Sequence, residues 1–277
     1  MVTPDDWRAR GDFFDWNGHR IFFRVEGTGE PLLLVHGFPT ASWDWWAVWP
    51  ALVAKFRLLA LDGIGFGFSA KPRDFTYTIA KQADLYEALL AREGVTSYRL
   101  LAHDYGLTVA QELLARGSGI TRACLLNGGL FPETHRPVLT QKLLASPLGP
   151  LVARLSSYRT FAKTMRRIWG HQPLADAEAR AMWQLVTTNN GMAVMPKLIG
   201  YMEERRRNRA RWVGAIVDAK VPIRVIDGLV DPVSGANMVA RYRELVAKPD
   251  VVELPTVGHY PQVEAPDAVV KAALDFF

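Results

Sequence analysis

The chain of 277 residues has a single cysteine, Cys124, so no internal disulfide can form. That cysteine lies inside the apolar run Ala123–Leu126 and reads as a small buried hydrophobe. Such thin use of cysteine fits a reducing compartment, and a cytoplasmic location is expected. No run of about 18 consecutive apolar residues occurs, which argues against a spanning helix. The acidic, aromatic start MVTPDDWRARGDFFDW lacks the apolar centre of a secretion signal. Zinc-ligand spacing, a phosphate loop ending in Gly-Lys-Ser/Thr, internal repeats and low-complexity tracts are also missing. What remains is ordinary globular composition, 49% apolar and 22% charged. A chain of this length buries roughly 75% of its unfolded surface, so the core needs no covalent staple.

Lys and Arg number 33 against 28 Asp and Glu, a net charge of +5. Much of the excess is read in Glu203–Arg211, where five arginines follow two glutamates, the pattern of a solvated helix face. Nucleic-acid binding is therefore not expected.

Short apolar runs alternate with segments of helical period, which predicts an α/β fold with a mostly parallel sheet flanked by helices. Strands are predicted at 20–26, 31–35, 57–61, 98–102, 121–126, 222–226 and 251–254. Helices are predicted at 42–55, 79–93, 107–116, 236–246 and 266–277. From Phe131 to Trp212 the rhythm stops, and prolines break a helix-like block into pieces. The expected organisation is a core of residues 1–130 and 213–277 with a helical lid inserted over 131–212. Sites form at the carboxyl ends of strands beneath such lids.

The decisive strand end is Ala102-His103-Asp104-Tyr105-Gly106, which has the small-x-nucleophile-x-small form of a sharp strand-to-helix turn. A carboxylate stands where serine is usual, and Gly-x-Ser-x-Gly occurs nowhere in the chain. A carboxylate nucleophile attacks an sp³ carbon and leaves an ester that water must later cleave. His259 follows the last strand and is placed to activate that water. Asp231, after the strand before it, is placed to fix the histidine's tautomer, with Asp227 as the rival. The backbone N–H groups of Phe38 and Tyr105 are the candidate oxyanion donors. His36, Phe38 and Tyr105 flank the site and are expected to contact substrate, although His36 and His103 also read as residues that orient the loop and the elbow.

The leaving group distinguishes two chemistries. An epoxide releases an alkoxide and calls for a phenol held over the ring, whereas halide release calls for N–H donors beside the nucleophile. Tyr201 and Tyr158 both fall in the expected lid, which favours the epoxide. A catalytically silent binding protein is the alternative outside enzyme chemistry. The Gly63-x-Gly65-x-Gly67 run lacks dinucleotide-motif spacing and reads as a packed loop.

Ala102–Gly106, His36-Gly37-Phe38-Pro39, Asp62–Ser69 and Gly258-His259 resemble the α/β-hydrolase epoxide hydrolases across nearly the whole chain. The segments Asn127–Pro137 and Arg211–Ala215 resemble more specifically the mesoderm-specific-transcript branch. The resemblance implies lid tyrosines, with Tyr201 matching the second and Tyr158 the first. Haloalkane dehalogenases usually carry asparagine at position 38 and tryptophan at 105, and fluoroacetate dehalogenases carry arginine at 105 and 108. Phe38, Tyr105 and Thr108 depart from both patterns. The expected enzyme works without cofactor or metal on a small hydrophobic epoxide and water, as a monomer or homodimer.

Overall fold

The computed structural model describes residues 1–277. One sheet carries eight strands in the order β1-β2-β4-β3-β5-β6-β7-β8. They are β1 (Asp12–Trp16), β2 (His19–Glu26), β3 (Pro31–Val35), β4 (Arg57–Leu61), β5 (Tyr98–His103), β6 (Ile120–Leu126), β7 (Ile223–Gly228) and β8 (Asp250–Leu254). The pairs β1/β2 and β2/β4 are antiparallel. All other neighbours are parallel. Leu32–Val35, Leu58–Leu61, Leu100–Ala102 and Ala123–Leu126 are completely buried, as the unbroken apolar runs require when helices cover both faces of a sheet.

Two local expectations are corrected. Strand β1 lies outside the predicted strands, although Asn17-Gly18 marks the hairpin turn that joins it to β2. Both residues have positive φ, 52° and 80°, which is the demand of a tight two-residue connection. Residues 42–55 do not form one helix but a 3₁₀ turn, Ser42–Trp45, followed by a short helix, Trp49–Val53. The Ser42 N–H and hydroxyl both bond Asp62 Oδ1, tying the segment's start to the loop after β4. Pro50 has no N–H to continue a helix across the junction, and it sits instead in the first turn of the second piece.

Between β6 and β7 runs a block of short helices, including Leu139–Leu144, Gly149–Leu155, Tyr158–Ile168, Asp176–Thr187 and Tyr201–Arg207. The last helix, Arg209–Val217, crosses the expected boundary at 212. It is pinned to helix Tyr105–Arg116, because Arg211 and the Trp212 indole both donate to Glu112. The inserted block and the sheet also share backbone bonds, from His259 N–H to Ile168 O and from His171 N–H to Thr256 O.

Candidate active site

Strand β5 ends at His103, and the chain turns at once into helix Tyr105–Arg116. Asp104, at the turn, has φ 48° and ψ −109°. A non-glycine residue in that region costs on the order of 1–3 kcal/mol, a strain that surrounding packing must hold. A Cβ at position 106 would lie 2.4 Å from Val35 O, and one at 128 would lie 2.7 Å from Asp104 O. Only glycine lets β3, the elbow and the loop after β6 approach so closely.

The Phe38 N–H donates to Asp104 Oδ1 at 2.9 Å. Asp104 Oδ2 lies 3.3 Å from His259 Nε2, and His259 Nδ1 lies 2.7 Å from Asp231 Oδ2. The elbow, the imidazole and the expected acid are therefore one chain of contacts, and all three side chains are buried. Asp231 also accepts from Val233 N–H, Ser234 N–H, Ser234 Oγ and Asn127 Nδ2. Asn127 completes a clamp by accepting from Gly228 N–H at 2.7 Å. Glu264 secures the histidine's loop, taking the N–H groups of Gly170, Gly258 and Tyr260. The Tyr105 N–H, first in its helix, has no protein partner.

Burial alone would raise the Asp104 and Asp231 carboxyls, yet contact with His259 brings both below the ordinary aspartate range. Burial alone would depress His259, but the two carboxylates raise it well above an ordinary histidine. The contacts thus favour an imidazolium between two carboxylates. Asp227 has no hydrogen-bond partner on either oxygen, and burial, reinforced by nearby Asp231, pushes it well up. Asp231, and not Asp227, makes the contact with the histidine.

Tyr201 opens helix Tyr201–Arg207, is 1% exposed, and carries a hydroxyl with no hydrogen-bond partner. Its ring meets Tyr105 edge-on, centroids 5.0 Å apart, and lies 5.9 Å from Phe38. Burial and then the charge of Asp104 raise its phenol, so it stays protonated. Gln141 stands close enough to temper that rise without completing a hydrogen bond.

Three expectations need correction. Tyr158 does not face the site: its hydroxyl donates to Asp176 at the surface, at the start of helix Tyr158–Ile168. His36 does not contact substrate space, because one ring nitrogen meets Gly37 O and the other accepts from Gly63 N–H. Burial lowers it, and it is a neutral brace between two loops. Arg205 is not on a solvated face but 2% exposed. Its Nε donates to Thr108 at 2.6 Å, its Nη2 reaches Asp104 O at 3.4 Å, and its Cζ sits 4.5 Å from the Tyr201 ring centre. It has no carboxylate partner within salt-bridge distance, and its Nη1 is unpaired. Burial and then Arg205 hold His135 down to about 3. The arginine-rich run hid this residue, and only its spacing of four from Tyr201 could have flagged it, as one helical turn.

A cavity of about 370 Å³ among the inserted helices reaches the site at Phe38 and His259, while Asp104 and Tyr201 are not on its wall. Phe38 and His259 form its floor, and Leu144, Val152, Phe161, Met165, Trp183 and Met195 are among its apolar walls. The Tyr105 ring is not on that wall but packs against Phe66 and Tyr201. Phe38 is thus the one expected substrate contact that the cavity includes, and the backbone is what Tyr105 offers.

Residues 32–272 match the alpha/beta hydrolase family. The mesoderm-specific transcript homolog protein of Bos taurus is 42% identical over 289 residues, covering 98% of this chain and 86% of that one. The putative hydrolase LipZ of Mycobacterium tuberculosis is 41% identical over 287 residues, covering 99% and 98%. Among solved structures, the epoxide hydrolase CorEH superposes with a TM-score of 0.79 at 19% identity, covering 96% of this chain and 98% of that one. The haloalkane dehalogenase DatA of Agrobacterium tumefaciens C58 gives 0.80 at 19%, covering 95% and 94%. At such identities these two likenesses report the fold.

Proposed function

Because the chain belongs to the alpha/beta hydrolase family, we propose that it is an epoxide hydrolase working through a covalent ester on Asp104. The observation that carries this reading is the carboxylate at the elbow, with Oδ1 on the Phe38 N–H and Oδ2 facing His259. Asp104 Oδ2 attacks a ring carbon, the C–O bond breaks, and Tyr201 protonates the departing oxygen. The ester is neutral, so His259 loses one of its two anionic partners and its pKa falls toward that of a base. Its proton passes through solvent to the tyrosinate; the neutral imidazole then takes a proton from water, and the hydroxide adds to the ester carbon. Charge develops on Oδ1, where Phe38 N–H already points and Tyr105 N–H is free to join. Collapse expels the diol oxygen, which takes the proton of the added hydroxyl, so the diol leaves with Asp104 again a carboxylate and His259 again an imidazolium.

The cavity's apolar walls favour a hydrophobic epoxide. Phe38 and Tyr105 supply no side-chain N–H to a halide, which weighs against dehalogenation. A single turnover in heavy-oxygen water tests the route: the first diol is unlabelled and Asp104 retains the label. Label in the first diol overturns the ester mechanism, and halide release from bromoalkanes without diol formation from epoxides overturns the substrate class.

A further inference from the structure

Between Glu133 and Asp176 there is no acidic residue at all, while Arg136, Lys142, Arg154, Arg159, Lys163, Arg166 and Arg167 give the segment seven positive charges. Taking these 7 from the 33 Lys and Arg leaves 26 against 28 Asp and Glu, so this one segment accounts for the chain's entire positive excess. All seven side chains are exposed, and only Arg166 has a carboxylate partner.

The same segment holds the chain's main concentration of exposed large apolar side chains. Leu139, Leu143, Leu148, Leu151 and Leu155 are 65%, 39%, 60%, 52% and 71% exposed. On helix Leu139–Leu144, Leu139, Lys142 and Leu143 share one face by the three- and four-residue spacing. On helix Gly149–Leu155 and its N-cap, Leu148, Leu151, Arg154 and Leu155 do the same. The two helices pack together, so leucines and cations form a continuous surface. Leu143 and Leu155 also line the cavity, which places its mouth within that surface.

We propose that this face docks on an anionic lipid bilayer, with the leucines in the interfacial layer, the cations at the headgroups and the cavity mouth opening onto the hydrocarbon. An exposed apolar cluster interleaved with unpaired cations, and free of acids, is complementary to such a surface and to little in bulk water. No helix is long and apolar enough to cross a membrane, so the contact is made from one side. Substrate dissolved in the bilayer would enter through Leu143 and Leu155 without passing through water. The docking itself does not depend on the chemistry proposed for Asp104.

Co-sedimentation of the full chain with vesicles of phosphatidylcholine, with and without phosphatidylglycerol, tests this without reading turnover. Binding is expected to the anionic vesicles and to weaken with salt. Joint substitution of Leu139→Ser, Leu148→Ser and Leu151→Ser, none of which lines the cavity, should reduce partitioning by about tenfold, as should Lys142→Glu with Arg154→Glu. Unaltered circular dichroism and an unaltered thermal midpoint confirm that the variants are folded. Absence of wild-type binding, or binding that the leucine substitutions leave intact, overturns the proposal. So does a wild-type dimer in light scattering that the leucine variant breaks, since a second copy would then cover the face.

Discussion

His259 Nε2 lies 3.3 Å from Asp104 Oδ2, and both side chains are buried. Because the two groups stabilise each other's charged forms, removing one charge retunes the other. Asp104→Asn should lower the His259 pKa relative to wild type, read by NMR titration of the ring, while Asp231 still holds it above an ordinary histidine. The same contacts make stability pH-dependent. The histidine's raised pKa contributes fully below about 6.5, its unfolded value, and is lost as pH rises through the folded value. The depressed carboxylates contribute above about 3.9 and lose that contribution as pH falls. Thermal midpoints measured across pH should therefore decline on both the acid and the alkaline side, and Asp104→Asn should flatten the alkaline decline.

The two aspartates near the end of β7 should behave oppositely. Asp231 contacts the histidine and collects four further donors, so Asp231→Asn should lower turnover by about 10²–10⁴-fold. Asp227 is held neutral by burial, so Asp227→Asn replaces one uncharged group by another of similar shape. Turnover within about twofold of wild type is expected, since such a swap leaves the acid–base pair untouched. Equal losses in the two variants would mean that the acid role is shared.

How much of this was legible in the sequence depends on where the determinants lie. Strands 31–35 and 57–61 are legible to the residue because buried central strands carry unbroken apolar runs. Asp104, Asp231 and His259 lie one, three and five residues past strand ends, so local grammar places them, and the structure brings them into contact. The inserted block gave less. Tyr201 and Tyr158 look alike in one dimension, and only packing separates a buried, unpartnered hydroxyl from one bonded to Asp176 at the surface. Arg205 sits among identical neighbours, and its burial is decided by contacts with Thr108 and Asp104 that lie 97 and 101 positions away.

Arg205 should act on the reaction through Tyr201. Its cation faces the phenol ring and keeps the hydroxyl's pKa from climbing further, which favours the tyrosinate left after proton donation. Arg205→Met should therefore slow ring opening about tenfold in kcat while leaving KM nearly unchanged, since Arg205 lies off the cavity wall. Arg205→Lys keeps charge but loses the planar fork that reaches Thr108 and Asp104 O together, so partial recovery is expected. A change confined to KM would remove Arg205 from the chemistry.

Glu264 links the loop that carries His259 to the inserted helices. One carboxylate takes three backbone N–H groups, two beside His259 in sequence and one from Gly170. Glu264→Ala leaves those donors without their acceptor, and denaturant unfolding should show a loss of about 1–3 kcal/mol. Glu264→Gln retains one acceptor oxygen and should recover part of that loss. Because Gly258 and Tyr260 flank His259, the alanine variant should also lower turnover more than its stability loss explains at temperatures where it remains folded. If turnover follows only the folded fraction, the bonds to Glu264 support the fold without aiming the imidazole.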